Sequence, residues 1–91
     1  MAKFGIEYRV RGIIKYEPPL KDEPFDIRKR MVIIARSERE ARDRGDEVMM
    51  GALKDPNYRF QLVMVNPLAK DQVKEYLAAV DITSNHFSVF R

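Results

Sequence analysis

The feature that most constrains the fold is a long alternation of apolar and charged side chains near the start of the chain. Apolar residues recur at every second position from Phe4 to Tyr16, with Gly12 in their row, and charged residues occupy most positions between them. A period of two is that of a β-strand, whose successive side chains point to opposite faces. The pattern therefore predicts one long strand with an apolar face and a solvated face.

A second alternating stretch runs from Ile27 to Arg36 and predicts that the chain returns as a β-hairpin. Residues 17–26 between the two stretches hold three prolines and four acids, which predicts an irregular acidic loop. Pairing Tyr16 with Ile27 makes the two apolar rows coincide and places Glu7 opposite Arg36. A slip by one residue would move every side chain to the wrong face, which favours this register.

The residues after the hairpin predict a capped helix. Ser37-Glu38-Arg39-Glu40 is a capping box, in which the Ser37 hydroxyl accepts from the Glu40 amide and the Glu40 carboxylate reaches back to the Ser37 amide. Asp55-Pro56-Asn57 ends the helix and turns the chain.

A third strand and a second helix follow this turn. Apolar residues on both faces from Tyr58 to Val65 predict a strand in the centre of the sheet, and Asn66-Pro67 predicts the start of the helix. The tail at 86–90 predicts a short final strand. The whole chain, 1–91, is predicted to form a single compact α+β domain of order ββαβα(β), an antiparallel-rich sheet with both helices on one face. The predicted core comprises Val10, Ile33, Val48, Phe60, Leu62 and Leu77.

Composition limits the class of protein. The 91 residues carry a net charge of +3, and residues 1–36 hold nine Lys and Arg against five Asp and Glu. Cysteine is absent, so there is no disulfide framework and no thiolate metal site. The sequence lacks the apolar run of a signal peptide and a stretch of membrane-spanning length, which predicts a cytoplasmic protein without a membrane partner.

Motifs of catalysis and cofactor binding are missing from the sequence: it contains no Gly-rich phosphate loop, HExxH or GxSxG. The single histidine, His86, has no nucleophile or orienting carboxylate at a recognisable spacing. The acids of the 17–26 loop lack the ligand number and turn glycine of a calcium loop. Arg44-Gly45-Asp46 spells a cell-adhesion tripeptide, but it lies in the predicted helix, where Gly45 suits close packing. We therefore predict a protein that is not an enzyme and holds no cofactor and no metal.

The solvated face of the predicted hairpin is the best candidate for a binding site. It combines basic side chains with a few apolar ones and carries no aromatic residue of the kind that stacks nucleic-acid bases. Such a face can bind an acidic protein surface or phosphates, or its charges can simply solvate the sheet. The candidate partner-binding residues are Arg9, Arg11, Lys15, Arg28, Arg30, Val32, Ile34, Arg36 and Arg59.

These features favour a small accessory or regulatory protein, of the type found in mobile elements and phages, that docks on a larger host protein or nucleoprotein complex. The alternative is a protein that contacts the backbone of RNA or DNA through the same face. Dimerisation is compatible with so short a chain, because a small core benefits from burial against a partner.

The strings YRVRG and VIIARSEREA, a strand pair followed by a capped helix, resemble archaeal ribosomal LX-type proteins. The resemblance covers about half of the chain, and the second helix departs from it.

Overall fold

The computed structural model describes residues 1–78 and 89–90. Three strands form one antiparallel sheet in the order β2-β1-β3, and the predicted α+β class is confirmed. The elements in chain order are β1 (Ala2–Ile14), β2 (Glu23–Ala35), α1 (Glu38–Ala52), β3 (Arg59–Leu68), a 3₁₀ turn (Lys70–Gln72) and α2 (Val73–Ala78). Of the predicted final strand, Phe90 forms an isolated bridge with Leu53, while positions 86–88 lie outside the described residues.

The hairpin is present, but its register differs from the predicted one. Val10 lies opposite Ile27, six residues from the predicted partner Tyr16. Because the shift is an even number of residues, the apolar rows still coincide on one face. Pro24 joins β2 instead of the loop, and it is tolerated there because β2 is an edge strand. Glu7 therefore faces Arg30 and not Arg36, which corrects the prediction.

The predicted central position of the third strand is wrong, because β1 lies in the centre and β3 at an edge. β3 pairs with β1 over its whole length, with a bulge where the register changes between Glu7 and Tyr8. β3 carries apolar residues on both faces, and at this edge position Met64 is partly exposed. Asn66 and Pro67 belong to this strand and do not start a helix.

Helix α1 packs on the sheet face that carries the apolar row of β1. Ile6 and Tyr8 are fully buried there, as is Met49 of the helix. A Cβ atom at Gly45 would lie 2.5 Å from Tyr8 Oη and 3.1 Å from Ile6 Cδ1, so glycine permits this close approach. The Tyr8 hydroxyl donates to Asp46 Oδ1 at 2.8 Å, so two residues of the adhesion-like tripeptide serve packing.

The predicted core is confirmed for its residues in the sheet and wrong for its two residues in the helices. Val10 is fully buried, whereas Val48 and Leu77 are 48% and 40% exposed. The buried stripe of α1 runs through Ala41, Gly45 and Met49, at the spacing of one helical turn. Ile33, Phe60 and Leu62 pack, partly buried, against the core.

The capping box at the start of α1 is nearly as predicted. Ser37 Oγ accepts from the Glu40 amide at 3.2 Å, while the Glu40 carboxylate accepts from the amide of Arg36 at 3.3 Å. The ion pairs Glu38–Arg42 and Glu40–Arg44, one helical turn apart, also form.

Helix α2 contacts the opposite face of the sheet. A Cβ atom at Gly5 would lie 2.8 Å from Tyr76 Cζ, and it would point away from the α1 face because Phe4 and Ile6 point toward it. Arg30 Cζ also lies 4.9 Å from the centroid of the Tyr76 ring. The two helices were predicted to share one face of the sheet, and this is corrected: α1 covers one face and α2 contacts the other. An apolar stripe on a helix does not specify which sheet face the helix covers.

Candidate partner-binding surface

The sheet face opposite α1 gathers five of the predicted arginines from all three strands. The register places Arg9 opposite Arg28, and it places Arg11 opposite Arg59. We call this surface the basic face; it comprises Glu7, Arg9, Arg11, Asp26, Arg28, Arg30 and Arg59.

Glu7 holds two of these arginines in the middle of the basic face. Its side chain is only 12% exposed. Arg30 Nε donates to it at 2.7 Å, and Arg28 Nη1 donates to it at 3.3 Å. The ring of Tyr76 covers the guanidinium of Arg30 in a cation–π contact. Arg28 and Arg30 are thus fixed in position, and one carboxylate offsets part of their charge.

Arg9 forms a two-point ion pair with Asp26 of β2. Arg9 Nε lies 2.9 Å from Asp26 Oδ1, and Arg9 Nη2 also donates to this carboxylate. The hydrogen bond from Arg9 holds the pKa of Asp26 below its usual value, and the charges of Arg11 and Arg28 act in the same direction. The same pair raises the pKa of Arg9. Asp26 was predicted to be a loop residue, and the longer hairpin brings it onto the basic face.

Arg11 and Arg59 differ from the other arginines of the basic face because neither forms an ion pair with a described residue; Asp26, which lies opposite Arg11 on β2, pairs with Arg9 instead. Both are exposed, and no carboxylate in the part of the chain that the structure describes lies within ion-pair distance of either. They stand directly opposite each other on β1 and β3. Like charges directly opposite in a sheet are destabilising, so this pair costs some folding stability.

A groove opens beside this arginine pair, where β1 extends beyond β3. β3 begins at Arg59 opposite Arg11, whereas β1 continues to Ile14 and pairs only with β2 there. We call residues 12–14 of β1 and this groove the open end. The groove has a volume of about 460 Å³ and is lined by Arg11, Gly12, Ile13, Lys15, Asp55, Asn57 and Arg59.

A local turn creates the open end. Asp55 Oδ1 accepts from the Asn57 amide at 2.8 Å, and the Asp55 carbonyl accepts from the Tyr58 amide at 3.0 Å. These bonds form the turn predicted from Asp55-Pro56-Asn57, and the chain enters β3 only at Arg59.

The remaining candidates are spread along the molecule. Lys15 lies beyond β1 and pairs with Asp22 at 3.2 Å. Val32 and Ile34 lie toward the other end of the hairpin, opposite Gly5 and Lys3. Arg36 follows β2 at that same end and is exposed. The structure therefore joins Lys15 to Arg11 and Arg59 at the groove, while Val32, Ile34 and Arg36 lie away from it. The apolar residue next to Arg11 at the open end is Ile13, which is 53% exposed.

Sequence reasoning missed three features of this surface. It treated Glu7 as a partner of Arg36, placed Asp26 in the loop, and expected no aromatic residue on this face, where Tyr76 lies. An acid inside a basic row was the available signal for Glu7, but only the correct register identifies its partners. Tyr76 is half-buried against the sheet and Arg30, so it does not present a free stacking surface.

Other classes of site find no support among residues 1–78 and 89–90. No group of three or more His, Cys, Asp or Glu side chains there could hold a metal ion. No helix in this part of the chain is long and apolar enough to cross a membrane. His86 lies outside the described residues.

Comparison of the chain with family models, with curated proteins and with solved structures finds no match. The resemblance to ribosomal LX-type proteins accordingly receives no support from these comparisons.

Proposed function

We propose that the protein is a small, non-catalytic binding module, an accessory protein that docks through its basic face on an acidic surface of a larger protein or nucleoprotein complex. The exposed pair Arg11 and Arg59 supports this proposal most directly. Two like charges held opposite each other are unfavourable in the free protein, and neither of these arginines forms an ion pair with a described residue. An acidic partner surface would offset that cost on binding, and would gain charge-assisted hydrogen bonds.

The ion-paired arginines contribute a different property. Glu7 fixes Arg28 and Arg30, and Asp26 fixes Arg9, so these long side chains are already ordered before a partner arrives. Ordering a flexible side chain costs roughly 0.5–1.5 kcal/mol at an interface, and a preordered side chain avoids most of that cost.

Two features favour a protein surface over the phosphate backbone of a nucleic acid. The carboxylates of Glu7 and Asp26 lie among the arginines and lower the positive potential that a polyanion would need. Ile13 is 53% exposed beside Arg11 and offers an apolar contact that phosphates would not use.

The proposal is tested by capture of the partner before and after nuclease treatment, with charge reversal at the open end. We expect Arg11→Glu/Arg59→Glu to lose the partner, and we expect the wild-type protein to retain it after nuclease treatment. The matched control is Arg39→Glu/Arg42→Glu, which makes the same change in net charge at two exposed positions of α1, on the other side of the sheet, and should bind as the wild type does.

Two results would contradict this function. Equal loss of binding in both double variants would show that only the net charge matters. A partner that disappears with nuclease, and whose affinity falls with salt at a slope of about 0.9 per phosphate contacted, would assign the face to nucleic acid.

A further inference from the structure

We propose that the open end accepts an extended acidic segment of the partner, which adds as a short β-strand beside residues 12–14 of β1. This inference rests on the proposed function and deepens it, because it specifies the form and the chemistry of the segment that is bound. Strand addition is a known mode of peptide recognition, in which main-chain hydrogen bonds give affinity and alternate side chains give specificity.

The first observation is a strand edge that pairs with no described residue. Residues 12–14 of β1 pair with residues 23–25 of β2 on one side, whereas the pairing with β3 stops at Arg11. In an antiparallel sheet, backbone N–H and C=O groups are directed to both sides of a central strand. On the side of this segment that does not pair with β2, main-chain donors and acceptors therefore point to the place that β3 would occupy if it were longer.

The second observation is that the groove lies along this free edge. Gly12 and Ile13 line it from β1, and Asp55 and Asn57 of the turn close its other side. Its volume of about 460 Å³ lies within the roughly 300–1,000 Å³ of small-ligand pockets, which is enough for a few residues of an extended chain. The turn at Asp55 thus leaves space beside β1 that no described residue fills.

The side chains at the open end define what the added strand should carry. On the basic face, Arg11 and Arg59 lie beside the groove and form no ion pair with a described residue. On the other face, Phe25 and Tyr58 pack edge to face, with ring centroids 4.8 Å apart, and both lie close to where a Cβ atom of Gly12 would be. Because side chains of a strand alternate between faces, acidic and apolar residues should alternate in the bound segment.

A nucleic acid fits this arrangement less well. It has no strand-forming backbone to pair with residues 12–14, and it would make no apolar contact with Ile13, which lines the groove. The outer edge of β3 is a less specific alternative, because beyond Arg59 at its first position the strand carries no charged residue to select an acidic segment.

The test is an NMR titration of the full chain, labelled with ¹⁵N, with the blocked peptide Glu-Val-Glu-Val-Glu. We expect shift changes at the amides of residues 12–14, and a loss of affinity of about tenfold or more for Arg11→Glu/Arg59→Glu. The Arg39→Glu/Arg42→Glu control should bind the peptide as the wild type does. Lys-Val-Lys-Val-Lys should leave these amides unchanged. A version of the acidic peptide with N-methyl groups at alternate residues keeps the charge but cannot form the ladder, and it should no longer shift residues 12–14.

Three results would overturn strand addition. They are equal binding of the N-methylated peptide, shift changes confined to other surfaces, and saturable binding of an oligothymidylate at the same amides. If the acidic peptide does not bind residues 12–14 while Arg11→Glu/Arg59→Glu still abolishes partner capture, the strand inference is wrong and the proposed function stands. If the peptide does not bind and Arg11→Glu/Arg59→Glu still captures the partner, both proposals are wrong.

Discussion

Replacing Gly45 with alanine tests how closely α1 packs on the sheet. The new Cβ atom would lie 2.5 Å from Tyr8 Oη and 3.1 Å from Ile6 Cδ1, so at least one of these fully buried side chains must move. Tyr8 cannot swing away freely, because its hydroxyl is bonded to Asp46 and its ring packs edge to face on Phe60.

The expected magnitude follows from three opposing effects. Alanine is favoured over glycine in a helix by about 1 kcal/mol. Overpacking a tight core costs about 1–3 kcal/mol, and loss of the hydrogen bond between Tyr8 and Asp46 costs about 0.5–1.5 kcal/mol. We therefore expect Gly45→Ala to lower the free energy of unfolding by about 0.5–3.5 kcal/mol, the sum of the last two effects less the first.

The chain supplies a matched control in the same helix. A Cβ atom at Gly51 meets nothing within 4 Å, so Gly51→Ala gains helix propensity without a clash and should raise stability by about 0.5–1 kcal/mol. Urea unfolding followed by far-ultraviolet circular dichroism measures both variants. The penalty at Gly45 should shrink in a Tyr8→Phe background, because the hydroxyl in closest contact is gone. If Gly45→Ala proves as stable as Gly51→Ala, the packing described for α1 is wrong.

Two further predictions concern the opposite face. The pKa of Asp26, followed by carboxyl ¹³C NMR, should lie below its ordinary value of 3.8 and rise in Arg9→Gln. The stability that this ion pair contributes is present above the ordinary pKa and is lost as the pH falls through the lower pKa of the folded protein. An Asp26 pKa that does not respond to Arg9→Gln would contradict the ion pair. The Tyr76 hydroxyl is buried without a hydrogen-bond partner among the described residues, so Tyr76→Phe should unfold within about 0.5 kcal/mol of wild type or be more stable. Tyr76→Ala, its control, should lose more because it uncovers Gly5, and a loss above about 1 kcal/mol in Tyr76→Phe would show that the hydroxyl is bonded.

The alternating pattern of the hairpin determined its faces but not its register. Any even shift keeps the apolar rows of β1 and β2 together, so the pattern cannot distinguish Tyr16 from Val10 as the partner of Ile27. The observed register pairs all thirteen residues of each strand, which the predicted one could not do. It also buries Phe25, a residue that was assigned to the loop because Pro24 precedes it.

The misplaced third strand and second helix have a similar origin. Apolar residues on both faces are typical of a central strand, yet β3 lies at an edge and leaves Val63 and Met64 over 40% exposed. An apolar stripe shows which side of a helix is buried but not which face of the sheet it packs on, so the position of Tyr76 on the basic face could not be predicted. The candidate surface was predicted as far as its arginines, because these follow from alternation alone. The open end could not be predicted, because it depends on where β3 begins relative to β1.

The length of β1 also separates the molecule into two electrostatic regions. The pairs Arg11–Arg59 and Lys3–Leu68 mark the limits of the β1–β3 ladder, eight residues apart on β1, which is about 26 Å at a rise of ~3.3 Å per residue. At physiological ionic strength charges are screened over about 8 Å, so a charge bound at one limit is not felt at the other. In a molecule 51 Å long, a charge bound at the open end would therefore leave the potential around Lys3 and Arg36 unchanged.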